Sequence, residues 1–212
     1  MQLIRGLSDL PARVRGGALA IGNFDGVHLG HACLLDRLVQ QANRLSSASV
    51  VFTFDPHPMQ LLRPASVPPP LTWIERKAAL LGNLGVDFVI AYPTDETLLS
   101  LSPEKFFRQI VVELLAAGAI VEGPNFCFGK DRAGDIRLLA ELSQQAGCHL
   151  EVGEAMQHGG TTISSSRIRQ LIGRGQIDEA NSMLTRPYRL RGLVEPGVQR
   201  GRELGFPTAN LT

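Results

Sequence analysis

Ala20-Ile21-Gly22-Asn23-Phe24-Asp25-Gly26-Val27-His28-Leu29-Gly30-His31 is the stretch that organises the chain. The apolar run leading into it, 18–21, reads as a buried strand, which Gly22 and Gly26 break. A helical pattern starts near His28 and carries Leu34, Leu35, Leu38 and Val39 at helical spacing. His28 and His31 therefore sit three apart in a first helical turn, on one face. The amides of such a turn lack partners within the helix, and the helix dipole is positive there. Two imidazoles above it are well placed to hold a phosphate. Two other readings stay open on these residues. One is a plain βα turn with surface histidines. The other is a zinc pair, although no Cys or Glu follows at ligand spacing.

The 212 residues suffice for one full α/β domain plus a remnant. Apolar residues make up 44% and aromatics only 6%, which suits a Leu, Val and Ala core between a parallel sheet and its helices. The formal charge is +1 with acids and bases interspersed, so neither a nucleic-acid groove nor an anionic membrane surface is indicated. No apolar run approaches the roughly 20 residues of a membrane span. Arg5 and Asp9 interrupt any signal-peptide pattern, and a cytoplasmic location is expected. Cys33, Cys127 and Cys148 are widely spaced and read as free thiols filling the core, with no metal role.

Strands are expected over 18–22, 49–54, 86–91, 119–122 and 149–152, with a short edge strand in the lead-in. Helices are expected over about 28–45, 103–117, 135–146, 164–172 and 178–184. One more runs from a Thr72 cap, with Glu75 at capping-box spacing, to about residue 82. This alternation predicts an α/β fold, a Rossmann-like doubly wound parallel sheet with right-handed crossovers. Its unusual loops all fall at the carboxyl ends of strands, where such sheets bind ligands. No Gly-x-Gly-x-x-Gly follows the first strand.

Gly-Asn-Phe-Asp-Gly-Val-His-x-Gly-His over 22–31 resembles the signature of the FMN adenylyltransferase module of prokaryotic riboflavin kinase/FAD synthetases, within the nucleotidylyltransferases of the His-x-Gly-His type. Three further motifs carry the same resemblance. Thr53-Phe54-Asp55-Pro56-His57-Pro58 matches the family's Thr-Phe-x-Pro-His-Pro, implying that Pro56, His57 and Pro58 lie beside the flavin. Val121-Glu122-Gly123-Pro124-Asn125-Phe126-Cys127-Phe128-Gly129 matches Val-x-Gly-x-Asp/Asn-Phe-x-Phe-Gly. It implies Asn125 and Phe128 as flavin contacts, with Phe106 as a further candidate. Ile163-Ser164-Ser165-Ser166-Arg167-Ile168-Arg169 resembles Ile-Ser-Ser-Thr-x-Ile-Arg, and a hydroxyl-bearing helix start followed by arginines suits a phosphate. The chain departs from the pattern twice: Ser166 stands for the usual Thr, and Thr162 for a frequent Arg, with Arg167 as a substitute charge.

The texture changes after Arg186-Pro187, and the glycine-rich 192–211 resembles the opening of a riboflavin kinase β-barrel, with Thr208 and Asn210 in its Pro-Thr-Ala-Asn motif. The resemblance divides the chain into 1–186, the adenylyltransferase domain, and 187–212, an incomplete kinase start. Riboflavin phosphorylation is not expected from this chain. FMN formed from riboflavin and ATP by the purified protein would overturn that. The resemblance implies transfer of AMP from ATP to FMN, giving FAD and pyrophosphate. His28, His31, Ser165 and Arg169 would act on the phosphates. Gly22, Asn23, Phe24, Asp25, Gly30, Ser164, Ser166 and Arg167 would line the ATP site. Mg2+ would be carried by the ATP phosphates, with no protein ligand named beyond an outer contact from Asp25. ATP and FMN are the expected partners, with no nucleic acid and no membrane. Another nucleotidylyltransferase of this type, or a non-catalytic flavin- or nucleotide-binding module, is the alternative.

Overall fold

In the computed structural model, residues 1–8, 10–195, 197–198, 200–206 and 208–211 are described. Asp9, and Pro207 of the Pro-Thr-Ala-Asn motif, lie outside them. The four residues of strand β2 (Ala18–Ile21) are all buried, as their apolar run requires. In chain order the other sheet strands are β1 (Gln2–Arg5), β3 (Ser49–Phe54), β4 (Phe88–Tyr92), β5 (Ala119–Glu122) and β6 (His149–Val152). They form one parallel sheet in the order β1-β4-β3-β2-β5-β6.

The helices are α1 (Leu29–Arg44), α2 (Met59–Leu62), α3 (Ile74–Asn83), α4 (Glu96–Leu99), α5 (Pro103–Phe106), α6 (Ile136–Ala146), α7 (Ser165–Gly173) and α8 (Ile177–Met183). The pleat sends alternate side chains to opposite faces. Ala18, Ala20, Val51, Val89 and Val121 pack with Leu35 and Leu38 of α1 and Ala78 and Leu81 of α3. Leu19, Ile21, Phe52, Ile90 and Ile120 pack on the other face with Phe106, Ile110 and Leu139. Helices thus cover both faces, and the expected doubly wound α/β fold is present. A third cluster, Leu71, Ile163, Ile168, Leu171, Ala180 and Met183, holds α7 and α8 to the loop before α3.

The chain lays down β2, β3 and β4 toward one edge, then returns past β2 to place β5 and β6. At that reversal β2 and β5 pair only at Ala18↔Ala119 and Leu19↔Ile120 before they separate. The crevice this opens is where ligands of such sheets bind.

Four local expectations are corrected. Thr72 does not cap α3: its hydroxyl donates to Asp25 Oδ1 at 2.9 Å, and the N-cap is Trp73, without a side-chain bond. A long-range carboxylate has taken the group that the local pattern assigned to the helix. The helix expected over 103–117 begins as α5 but continues as a π-helix, Phe107–Leu114. Cys33 is exposed at the cleft and fills no core, Cys127 is half-buried, and Cys148 is buried. Beyond Arg186 the chain forms a two-residue ladder of β9 (Val194–Glu195) with β10 (Asn210–Leu211), as β and loop texture predicts. It also forms one short helix, α9 (Arg200–Glu203), that the texture did not show. A hairpin of β7 (Gln157–His158) and β8 (Thr161–Thr162) turns at Gly159-Gly160, both at positive φ, which only glycine adopts without strain.

Candidate active site

His28 is the N-cap of α1, and its Nδ1 accepts the backbone N–H of His31 at 3.2 Å. His31 returns the arrangement: its Nδ1 accepts the N–H of His28 at 3.3 Å. The pair is a capping box built from imidazoles in place of the usual hydroxyl and carboxylate. The rings stack with centroids 3.5 Å apart, and the Phe24 ring closes the stack at 5.1 Å from His31. Burial lowers the His28 pKa to about 4 against the pull of Asp25. Burial also holds His31 well below the ordinary value, with the charges of His28 and Lys77 adding to it. Both imidazoles are therefore neutral near pH 7. Each Nδ1 accepts, so each Nε2 carries the proton. The result is two uncharged N–H donors side by side over a helix start. Gly30 makes room for them, because a methyl group there would stand 3.2 Å from His28 Nδ1.

Ser165 comes from 140 residues downstream, yet its hydroxyl donates to the carbonyl of Asp25 at 2.8 Å. The carboxylate of Asp25 is buried and accepts the N–H groups of Leu71 (2.9 Å) and Thr72 (3.0 Å), besides the Thr72 hydroxyl. It is also paired with the Arg169 guanidinium, whose Nε donates to the Pro69 carbonyl at 2.8 Å. This knot joins the loop after β2, the loop before α3 and the start of α7. Ser164 caps α7 by accepting the Arg167 N–H at 3.2 Å. Arg167 turns to Glu179 of α8 (3.0 Å), and Ser166 is exposed. Thr185 and Arg186 close the other side of the knot on the carbonyls of Val27 and Gly26.

One cleft at the sheet reversal is lined by Gly22, Asn23, Phe24, His28, Gly30, His31 and Ser164, and also by Glu122, Asn125, Phe126 and Thr162. The segments that the sequence singled out around the histidines and the serines thus share one hollow. Pro56, His57 and Pro58 are half-buried outside that lining, and His57 Nδ1 accepts the N–H of Met59 at 3.1 Å. Burial lowers the His57 pKa, as does the charge of Arg169. Phe106 and Phe128 are buried core rings 6.0 Å apart, whereas Phe126 stacks on Phe128 and shows itself to the cleft. Thr208 and Asn210 are exposed.

Two buried polar residues escaped the sequence reading. Where the β2–β5 ladder stops, the Ile21 N–H donates instead to Glu122 Oε1 at 2.6 Å. That carboxyl is buried, and desolvation pushes its pKa well above the ordinary range. A raised folded pKa leaves the group's stabilising contribution whole below the unfolded value near 4.3, to be lost as pH rises toward the folded one. Glu122→Gln keeps the accepting oxygen without a charge to bury. Its melting temperature should gain on the unmutated protein's as pH is raised from 4 to 8, by roughly 2–4 °C for each kcal/mol relieved. An equal offset at both ends of that range in parallel thermal melts would show that the carboxyl ionises freely. The second residue is Lys77, on the buried face of α3 with Ala78 and Leu81.

The chain is similar to known proteins along its whole length. The FAD synthetase family model matches residues 10–167, and the riboflavin kinase model matches 184–212. Bifunctional riboflavin kinase/FMN adenylyltransferases are 37% identical in Pseudomonas fluorescens and 34% in Escherichia coli (strain K12), each alignment covering 100% of this chain and 68% of the relative. The crystal structure of a protein described as a macrolide-efflux protein from Streptococcus pneumoniae superposes with a TM-score of 0.86 at 28% identity, over 100% of this chain and 68% of that one. With the histidine pair, the serine-capped helix and the crevice at the sheet reversal in place, the chain belongs to the FAD synthetase family and is an FMN adenylyltransferase, which moves AMP from ATP to FMN.

Proposed function

We propose that the Nε2–H groups of His28 and His31 hold the α- and β-phosphate oxygens of ATP. The start of α7, with Ser164, Ser165, Ser166 and the anchored Arg169, holds the β/γ end and the leaving pyrophosphate. The phosphate of FMN attacks the α-phosphorus in line, and no protein nucleophile takes part. Catalysis is then positioning and neutralisation of charge by donors already in place. The reciprocal imidazole cap carries this reading, because it fixes two neutral donors at an open helix start that faces the cleft. Residues Gly22 to Asp25 and Gly30 shape the floor beneath the triphosphate. The loop of Pro56, His57 and Pro58, together with Asn125, supports the flavin end, with Phe128 and Phe106 packed as core rings behind Phe126.

Magnesium is the substrate's companion here. Among the described residues no three or more His, Cys, Asp or Glu gather as a metal cluster, and both Asp25 oxygens already accept hydrogen bonds. When bound, the ion neutralises phosphate charge, and the protein's share is to hold the phosphates. Residues 1–186 form the transferase unit, and 187–212 the opening of a riboflavin kinase domain, in keeping with the two family matches. Among the described residues no helix is long and apolar enough to cross a membrane, and a cytoplasmic enzyme fits that.

Gly30→Ala should lower kcat for FAD formation by roughly 100-fold, the effect of displacing a positioned group by a fraction of an ångström to an ångström. Its thermal stability should hardly change, because alanine suits a helix. Unchanged turnover would free His28 from its proposed place. The direct test of the reading is release of pyrophosphate from ATP with FMN, NMN or phosphopantetheine as acceptor. Release with FMN, matched by FAD, is expected. Release matched by either rival acceptor would contradict it.

A further inference from the structure

Lys77 is 7% exposed, and among the described residues its ammonium enters no ion pair. Among the described residues its one hydrogen bond runs from Nζ to Thr53 Oγ1 at 3.5 Å, the outer limit of such a bond. An ammonium carries three donors, and burying one without partners is costly. A structural lysine would be expected to reach a carboxylate or to point out of the fold. This one does neither.

Its surroundings show what the position suits. Thr53 Oγ1 donates to the Asn23 carbonyl at 3.3 Å, which sets the ammonium under the loop between β2 and α1. The Lys77 charge lowers the pKa of both His31 and His57. Asp25 and Asp55 favour its charged form against the burial that lowers its own pKa. Through Thr53, which precedes the proline-stiffened loop, Lys77 is tied to Asn23 in the loop that leads to the imidazole pair. A buried ammonium without a carboxylate partner, under the loop that carries that pair, suits an anion delivered beside it.

We propose that the Lys77 ammonium binds the phosphate of FMN, holding the attacking oxygen against the α-phosphorus of ATP. This rests on the ATP placement given above. A charge-assisted contact of this kind is worth roughly 10–100-fold in affinity. In FAD formation, Lys77→Met should raise KM for FMN by that factor. The Ki of riboflavin as a competitor of FMN, and KM for ATP, should stay within about twofold, because riboflavin has no phosphate. Lys77→Arg should recover most of the loss. An unchanged ratio of FMN to riboflavin affinity, whether both hold or both fall together, overturns the assignment, as does a loss confined to ATP. If the Met variant fails to fold, the Lys77 side-chain 15N resonance of the unmutated protein decides. It should shift when FMN is added and stay when riboflavin is added; a shift with both or with neither overturns the proposal. An unmutated protein that makes no FAD would fail the ATP placement itself. FAD formation with an intact ratio in the variant would fail Lys77 alone.

Discussion

His31→Ala should lower kcat for FAD formation by roughly 100- to 1,000-fold, and His28→Ala by at least as much. Each side chain does two separable things. Nδ1 closes the other's cap, and in the proposed reading Nε2–H meets the charge that develops on the phosphates. Asparagine can offer an acceptor near the position of Nδ1, and glutamine can offer a donor near that of Nε2. His31→Asn should therefore keep the melting temperature and lose the rate. His31→Gln should keep more of the rate and lose about 1 kcal/mol of helix capping. The same burial that keeps the rings neutral gives a pH signature. Unfolded His28 takes up a proton near pH 6.5 and folded His28 only near 4. Its contribution to stability is whole above pH 6.5 and is lost as pH falls toward 4, by about 3 kcal/mol in all. Urea midpoints at pH 7 and pH 5 in the parent and in His28→Asn would show it. Equal slopes in both would mean that His28 titrates in the fold as freely as in the unfolded chain.

Asp25→Ala is expected to be the most destabilising single change at the site. It leaves the N–H groups of Leu71 and Thr72, the Thr72 hydroxyl and the Arg169 guanidinium without their acceptor. Removing one side of a buried ion pair costs about 3–5 kcal/mol. In a chain of this size that is a fall in melting temperature of roughly 6–20 °C. Asp25→Asn keeps an accepting oxygen and should fall about half as far. The knot also ties the loop before α3 to α7, so KM for both substrates should rise in the Asn variant even at temperatures where it is folded. A double-mutant cycle with Arg169→Met separates the two contributions. Strictly additive losses in melts would show that the Asp25–Arg169 pair does not hold the knot.

The sheet was legible because its strands are short apolar runs bounded by glycine or proline, and because the pattern alternates with helical periods. The crevice was legible because the odd loops all follow strands. The details that failed are those decided by distant partners. Thr72 carries a sound local capping pattern, yet its hydroxyl bonds Asp25 and the N-cap falls on Trp73. The π-helix over Phe107–Leu114 leaves no mark in a sequence that reads as an ordinary amphipathic helix. Glu122 reads as the polar end of a strand, and only the early stop of the β2–β5 ladder gives it a task. Lys77 did leave a signal. It falls with Ile74, Ala78 and Leu81 at the spacing of the buried stripe, where a lysine is out of place. The imidazole cap was hidden for another reason. Histidine is not among the common capping residues, so the motif read as two ligands and not as two ligands that also hold each other.

A crystal structure with α,β-methylene ATP bound tests the central claim most directly. The Nε2 atoms of His28 and His31 are expected within about 3 Å of the α- and β-phosphate oxygens, with the γ end against the start of α7. A triphosphate seated elsewhere in the crevice, with both rings turned from it, would contradict the account.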